Sequence, residues 1–222
     1  MSTNNKGILV IISGFSGAGK GTLVHELMTR YENEYALSIS ATTRNPRFGE
    51  QEGVHYFYKS RQEFEDMISQ DAFLEYAQYV NNYYGTPKQY VLDRMEEGKN
   101  VLLEIEMQGA MKVKKNFPDT QLIFVSAPSA AELYNRLAGR GTEEPEVIAK
   151  RMQRAYEEAQ DMDRYEYLLI NDNLDESVTL LHEIITNEKN HETAKNEPYL
   201  MQNHIPFVDN MRKELKSFLK GE

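Results

Sequence analysis

The chain has 222 residues, with 25 Lys and Arg against 35 Asp and Glu, a formal net charge of −10. That length suits one large domain or a domain with inserted pieces, and 40% hydrophobic with 27% charged residues excludes wholesale disorder. The negative balance argues against a general nucleic-acid binder and against adhesion to an acidic membrane leaflet, so an anionic ligand must be held by a local cluster of donors.

Cysteine is absent, which excludes disulfides, thiolate metal sites and cysteine nucleophiles and is compatible with a reducing cytosol. The leading MSTNNKG lacks a basic region, and the apolar run Ile8 to Ile12 is too short for a signal-peptide core or a membrane span. A cytoplasmic protein is expected.

Ile8 to Ser13 is a continuous β-branched run that reads as a strand buried on both faces. Val101 to Ile105, Leu122 to Val125 and, more weakly, Tyr167 to Ile170 repeat the pattern. Helical spacing follows at Thr22 to Tyr31, Met107 to Asn116 and Ser129 to Leu137, and Leu174, Val178, Leu181 and Ile185 mark one face of a further helix. Strands alternating with helices predict an α/β fold, a parallel sheet flanked by helices.

Two stretches interrupt this alternation. Ser38 to about Val91 is rich in Tyr, Gly and Arg, with strand-like pieces at Val54 to Tyr58 and Phe73 to Val80, and Ser60 with Glu63 forms a capping box that opens a short helix. This reads as an inserted α+β subdomain. Gly139 to Asp163 is a polar, helical excursion holding Arg140, Arg151 and Arg154, with Arg164 just beyond and Gly139 and Gly141 as a hinge, the pattern of a mobile lid.

From Asn187 the chain turns polar, with Pro198 and Pro206 as breakers, and it ends in a helically spaced stripe of Phe207, Val208, Met211, Leu215, Phe218 and Leu219. Residues 187–222 hold six acidic and six basic side chains, so the whole −10 belongs to residues 1–186. The stripe can pack on its own body or build a homo-oligomer. The histidines at 25, 55, 182, 191 and 204 show no metal-ligand spacing and read as incidental.

The densest chemistry lies between the first strand and the first helix. Gly14, Gly17 and Gly19 let the backbone of Ser13 to Thr22 wrap a phosphate, with the N–H groups of Ser16 and Ala18 inside the same loop. Lys20 adds a mobile cation and the helix start its positive dipole end. Gly21 stands where a phosphate loop usually has Ser or Thr, and Thr22 supplies the hydroxyl one residue later. Such a loop implies a nucleoside triphosphate and leaves the reaction open.

In Ser38 to Glu50, Arg44 and Arg47 flank Pro46, which keeps Asn45 out of a helix. Two guanidinium forks there suit a phosphate, although spacing alone serves surface ion pairs equally well.

GFSGAGKGT, SISATTRNPRFGEQEGVHYF, FLEYAQYVNNYYGTP, LLEIEMQGA, RLAGRGT and LLINDNLDE, in this order from about Gly7 to Lys189, resemble the guanylate kinases. The resemblance implies a P-loop NTPase core at 1–37, 92–138 and 165–189, a GMP-binding subdomain at 38–91 and a lid at 139–164. An extension, 190–222, ends in a helix. It implies ATP and GMP as substrates, magnesium as cofactor, and conversion of GMP to GDP in purine nucleotide metabolism, with no nucleic-acid or membrane partner.

Carried over residue by residue, Ser40, Arg44, Arg47, Tyr56 and Tyr84 match residues that hold the GMP phosphate or line its pocket. Glu75 matches the carboxylate that reads the guanine edge, and Thr86 a hydroxyl near the base. Arg136, Arg140 and Arg151 match cations around the ATP phosphates, with Lys20 and Arg44 beside them as catalytic charges, and Asn171 falls near the adenine. Glu104 and Glu106 stand where many members have Asp, either ordering GMP or holding magnesium's water shell, Glu104 with Thr22 being the metal candidates.

The chemistry supports this assignment. Guanine presents N1–H and an N2 amine, so one ionised carboxylate accepts from both. Adenine offers a lone pair at N1 and no N2 amine, and such a site rejects it by roughly 10⁴ or more. Two rivals remain: a kinase for another nucleoside monophosphate, and a non-catalytic guanylate-kinase-like interaction domain, which typically lacks a working phosphate loop.

Overall fold

The computed structural model describes residues 6–139 and 144–220. Contacts divide the chain into two compact units, one of residues up to Ile11 with Asn33–Gln121, the other of Ile12–Glu32 with the chain from Leu122 onward. The division falls inside the first strand, β1 (Leu9–Gly14), whose first five residues are all buried. β1 runs through the glycine-rich loop into helix α1 (Lys20–Arg30), which buries Leu23, Val24 and Leu27. Lys20 and Gly21, read above as loop, form the first turn of that helix.

In the first unit β2 (Tyr35–Leu37) leads to a second, four-stranded sheet. Its strands are β3 (Ala41–Thr42), β4 (Phe57–Tyr58), β5 (Phe73–Tyr79) and β6 (Asn82–Pro87), in the order β4-β3-β6-β5. β5 and β6 form an antiparallel hairpin whose register sets Glu75 opposite Thr86 and Ala77 opposite Tyr84. Helix α2 (Arg61–Ser69) starts on the Ser60–Glu63 capping box, with both reciprocal bonds present. It buries Phe64, which stacks on Phe73 and Tyr83 at centroid distances of 4.4 and 5.2 Å, so this small sheet has a core of its own.

The strand expected over Val54 to Tyr58 is corrected to Phe57–Tyr58. The Gln51–Tyr56 stretch folds back as a turn, with Gly53 N–H donating to Tyr56 O at 2.9 Å, and the β-branched Val54 points to solvent. Helix α3 (Lys88–Glu96) and β2 had no counterpart in the sequence reading; α3 leads into β7 (Asn100–Glu104) and helix α4 (Met107–Asn116).

In the second unit β8 (Gln121–Ser126) begins at the division, and its body pairs in parallel with β9 (Tyr167–Ile170). Between them lie helix α5 (Ala130–Ala138), helix α6 (Pro145–Ala159) and a 3-10 turn at Met162–Arg164. Helix α7 (Leu174–Lys189) buries Val178, Leu181, Ile184 and Ile185 and packs on α1. Two 3-10 turns, Thr193–Tyr199 and Met201–His204, then lead to helix α8 (Ile205–Lys220), whose Val208, Met211 and Leu215 are buried.

The central sheet has the order β2-β7-β1-β8-β9, and β2 pairs in parallel with β7. β1, β7, β8 and β9 are buried almost throughout, the pattern of a parallel sheet covered on both faces. Among the described residues no helix is long and apolar enough to cross a membrane.

Candidate active site

The glycine-rich loop is shaped by close approach. Gly14, at φ +144°, sits where a Cβ would come within 2.0 Å of Val125 O, so only glycine lets β1 pass there into the loop. Gly19, at φ +88°, is the left-handed N-cap of α1, and a Cβ there would meet the Asn171 amide at 2.6 Å. The Lys20 ammonium folds back over the loop, donating to Gly14 O at 2.7 Å and Phe15 O at 3.0 Å. Thr22 lies exposed in the first turn of α1, at the positive end of the helix dipole.

Three residues far away in sequence tie onto this loop or its surroundings. Asn171, buried, donates from Nδ2 to Ala18 O at 2.8 Å and from its main-chain N–H to Ser126 O at 2.8 Å. Arg136, on α5, donates to Asn171 O at 2.8 Å and to its own-helix neighbour Glu132 at 2.7 Å. Arg151, on α6, donates to Ser16 Oγ at 2.9 Å. Asn171 and Arg151 thus bond to loop residues, while Arg136 reaches the loop's neighbour Asn171. Arg140 and Gly141 lie outside the described residues.

The residues assigned to GMP all belong to the first unit. Thr42 Oγ1 accepts from Arg44 N–H at 3.2 Å and donates to Tyr83 O at 2.9 Å, and Thr43 Oγ1 accepts from Tyr83 N–H at 2.9 Å. The Thr-Thr pair thereby fastens the arginine turn to β6. The Arg44 guanidinium donates to Asn45 O at 2.8 Å and Glu50 Oε1 at 2.9 Å and lies 5.3 Å from the Tyr56 ring centre. Bonding to Glu50 raises its pKa further, and the Tyr84 hydroxyl adds to that effect. Arg47 is exposed, its main-chain N–H held by Glu50 Oε2 at 2.7 Å.

Opposite one another in the hairpin, Thr86 donates from Oγ1 to Glu75 Oε1 at 2.9 Å. Loss of water around Glu75 pushes its carboxyl pKa up, against the Thr86 bond and the charge of Lys112 on α4, which pull it down. A Cβ on Gly109 of α4 would stand 3.3 Å from Glu75 Oε2, so glycine there gives the second oxygen its room.

A cavity of about 150 Å³ is lined by Ser40, Tyr56, Thr86 and Glu104, with Ser38 and His55 also on its wall. That is below the ~300 Å³ usual for a ligand pocket, so a whole nucleotide reaches beyond it. Glu104 is exposed at the end of β7, and Glu106 is the N-cap of α4 without a side-chain cap bond.

Sequence reasoning passed over several groups. Glu50 stood in the quoted run without a role, and its contacts with Arg44, the Arg47 N–H and the Tyr58 hydroxyl depend on a turn that no spacing rule reveals. His55, read as incidental, lines the cavity and accepts from Gln51 N–H at 3.1 Å through Nδ1. Ser38 Oγ is buried without a hydrogen-bond partner on the same wall, and Lys112 left no signal beyond its helical position.

A family model described as guanylate kinase matches residues 6–188. The guanylate kinase of Caldanaerobacter subterraneus subsp. tengcongensis is 51% identical over 189 residues, covering 85% of this chain and 91% of that protein. That of Halalkalibacterium halodurans is 49% identical over 183 residues, 82% of this chain and 89% of that protein. Among solved structures, guanylate kinase from Anaplasma phagocytophilum superposes with a TM-score of 0.62 at 29% identity, over 83% of this chain and 87% of that one.

Proposed function

The chain belongs to the guanylate kinase family and phosphorylates GMP with ATP, and from that premise we propose how its own residues divide the work. The phosphate loop, Gly14 to Thr22, receives the ATP phosphates, with Lys20, Arg136, Arg140 and Arg151 as the surrounding cations and Asn171 near the adenine. Ser40, Arg44, Arg47, Tyr56 and Tyr84 receive the GMP phosphate or line its pocket, and Glu75 with Thr86 reads the base. Residues 38–91 thus serve GMP and 139–164 form the lid, in a cytoplasmic protein.

The observation that carries the base assignment is the desolvated Glu75 carboxylate, held by Thr86 and left open by Gly109. Its two oxygens suit the N1–H and N2 amine of guanine. The Thr86 hydroxyl, donating its hydrogen bond to Glu75, keeps lone pairs for a further donor. AMP brings a lone pair against a carboxylate that is costly to leave unpaired.

The attacking oxygen of the GMP phosphate is already anionic near neutral pH, so no strong base is required. The residues contribute alignment and spread the negative charge of the transferring phosphoryl group over Lys20 and the arginines. A closed lid excludes water, which would otherwise intercept ATP.

Magnesium is part of the proposal. Among the described residues no three His, Cys, Asp or Glu side chains cluster as a metal cage. An ion carried by nucleotide phosphates keeps several waters and needs only one or two protein oxygens. Thr22 and Glu104, both exposed residues, are the ones we assign to it, Glu104 through water. Bound with ATP, the ion neutralises charge on the phosphates.

The test is direct. The protein is incubated with ATP, magnesium and each of GMP, AMP, UMP and CMP, and ADP is measured. Turnover with GMP far above the others is expected; turnover with AMP and not GMP overturns the assignment of Glu75.

A further inference from the structure

Helix α8 lies beyond the family match, which ends at residue 188, yet it bonds to one end of each helix that bears an arginine of the ATP side. α6 has no basic residue in its own last turn. A helix C-terminus leaves carbonyls without intrahelical partners, and cations there are favoured. Arg212 of α8 supplies one from outside: Nε donates to Ala159 O at 2.7 Å and a terminal nitrogen to Gln160 O at 2.9 Å. Asp163, 3.0 Å away, steadies the guanidinium, whose side chain is 24% exposed and so mostly shielded from competing water.

Two residues on, Glu214 accepts from Ala130 N–H at 2.8 Å at the start of α5, next to the Ser129 cap. Asn210 holds the other Glu214 oxygen at 2.7 Å. Buried Val208, Met211 and Leu215 and the Tyr134–Phe218 ring contact at 5.5 Å fix α8 in place. α5 carries Arg136 and α6 carries Arg151, which reaches Ser16 of the phosphate loop at 2.9 Å.

We propose that Arg212 is a positioning residue for ATP use: by capping the C-terminus of α6 it sets the register of Arg151 against the phosphate loop. This rests on the reading that Arg151 serves the ATP phosphates. The guanidinium fork engages two successive carbonyls at once, which fixes the helix end in both height and rotation. A lysine there keeps the charge and loses the fork.

The experiment uses the full chain as wild type, Arg212→Ala, Arg212→Lys, Arg151→Ala and the Arg151→Ala/Arg212→Ala double variant. Thermal midpoint, kcat and KM for each nucleotide are measured. Arg212→Ala is expected to lower kcat/KM for ATP roughly tenfold, a displacement effect smaller than that of losing a reacting group. KM for GMP stays within about twofold, since Ala159, Gln160 and Asp163, which Arg212 engages, are not among the residues assigned to GMP. Arg212→Lys recovers only part of the loss and carries the same comparison should the alanine variant fail to fold.

In the Arg151→Ala background the Arg212 effect vanishes. A lower thermal midpoint with unchanged constants, an equal loss for ATP and GMP, or additive effects in the double variant would each overturn the proposal. If Arg151→Ala alone leaves ATP use intact, the reading of Arg151 fails, visibly and separately, and the proposal falls with it.

Discussion

Glu50 grips Arg44 at 2.9 Å through one carboxylate oxygen while the other takes the Arg47 N–H at 2.7 Å and the Tyr58 hydroxyl at 2.8 Å. The Arg44 bond, then the Arg47 N–H, lower the Glu50 pKa to about 2. Glu50 is therefore ionised wherever the enzyme works, and it sets the direction of a guanidinium proposed to meet the GMP phosphate. Glu50→Gln should raise KM for GMP about tenfold and leave KM for ATP near its starting value, as expected for a misaimed ligand group. Because the folded pKa lies below the ordinary 4.5, the carboxylate's stabilising contribution is present above that value. It is lost as pH falls toward about 2. An acid titration of wild type against Glu50→Gln, followed by circular dichroism, checks the sign.

Glu75 titrates in the opposite sense. Desolvation raises its pKa, and only the ionised form accepts from both guanine donors. KM for GMP should rise as pH is lowered, beginning above the ordinary glutamate value, while KM for ATP changes less. The linked stability effect has the reverse sign. The folded chain binds this proton more readily than the unfolded one, so protonation relieves the desolvation cost. Glu75→Gln should flatten the pH profile and weaken GMP use far more than ATP use. Equal weakening of both would refute the assigned role.

Gly19 combines a left-handed φ of +88° with a missing Cβ that would stand 2.6 Å from the Asn171 amide. Gly19→Ala should displace the loop and Asn171 together and cost roughly 10²-fold in kcat/KM for ATP. GMP binding measured by calorimetry in the absence of ATP should persist. A fall in both would mean that the substitution unfolds the chain instead of reshaping the loop.

Asn171→Leu removes the donor that satisfies Ala18 O and puts a branched apolar side chain against Gly19. Leaving a buried carbonyl without its partner costs about 1–3 kcal/mol, so the thermal midpoint should drop by several degrees and KM for ATP should rise. An unchanged midpoint would show that Ala18 O finds another donor.

The buried strands and most helices were legible because a parallel sheet leaves long apolar runs, and Met107–Asn116 could be read to the residue. Ser60–Glu63 was equally plain, since a capping box is local chemistry. What stayed hidden depends on partners remote in sequence. The Glu75–Thr86 contact is a matter of hairpin register, and the Arg151–Ser16 bond joins residues 135 positions apart. Val54 to Tyr58 misled because its residues favour strands while the chain around Gly53 turns. Glu50 looked like any acidic surface residue until the fold put three donors around it.

Lys20 already holds two main-chain carbonyls, Gly14 O and Phe15 O. Uptake of a phosphate chain is therefore an exchange of oxygens and not the capture of a bare ammonium. The binding energy available at Lys20 is accordingly a difference, phosphate oxygens gained against main-chain carbonyls released.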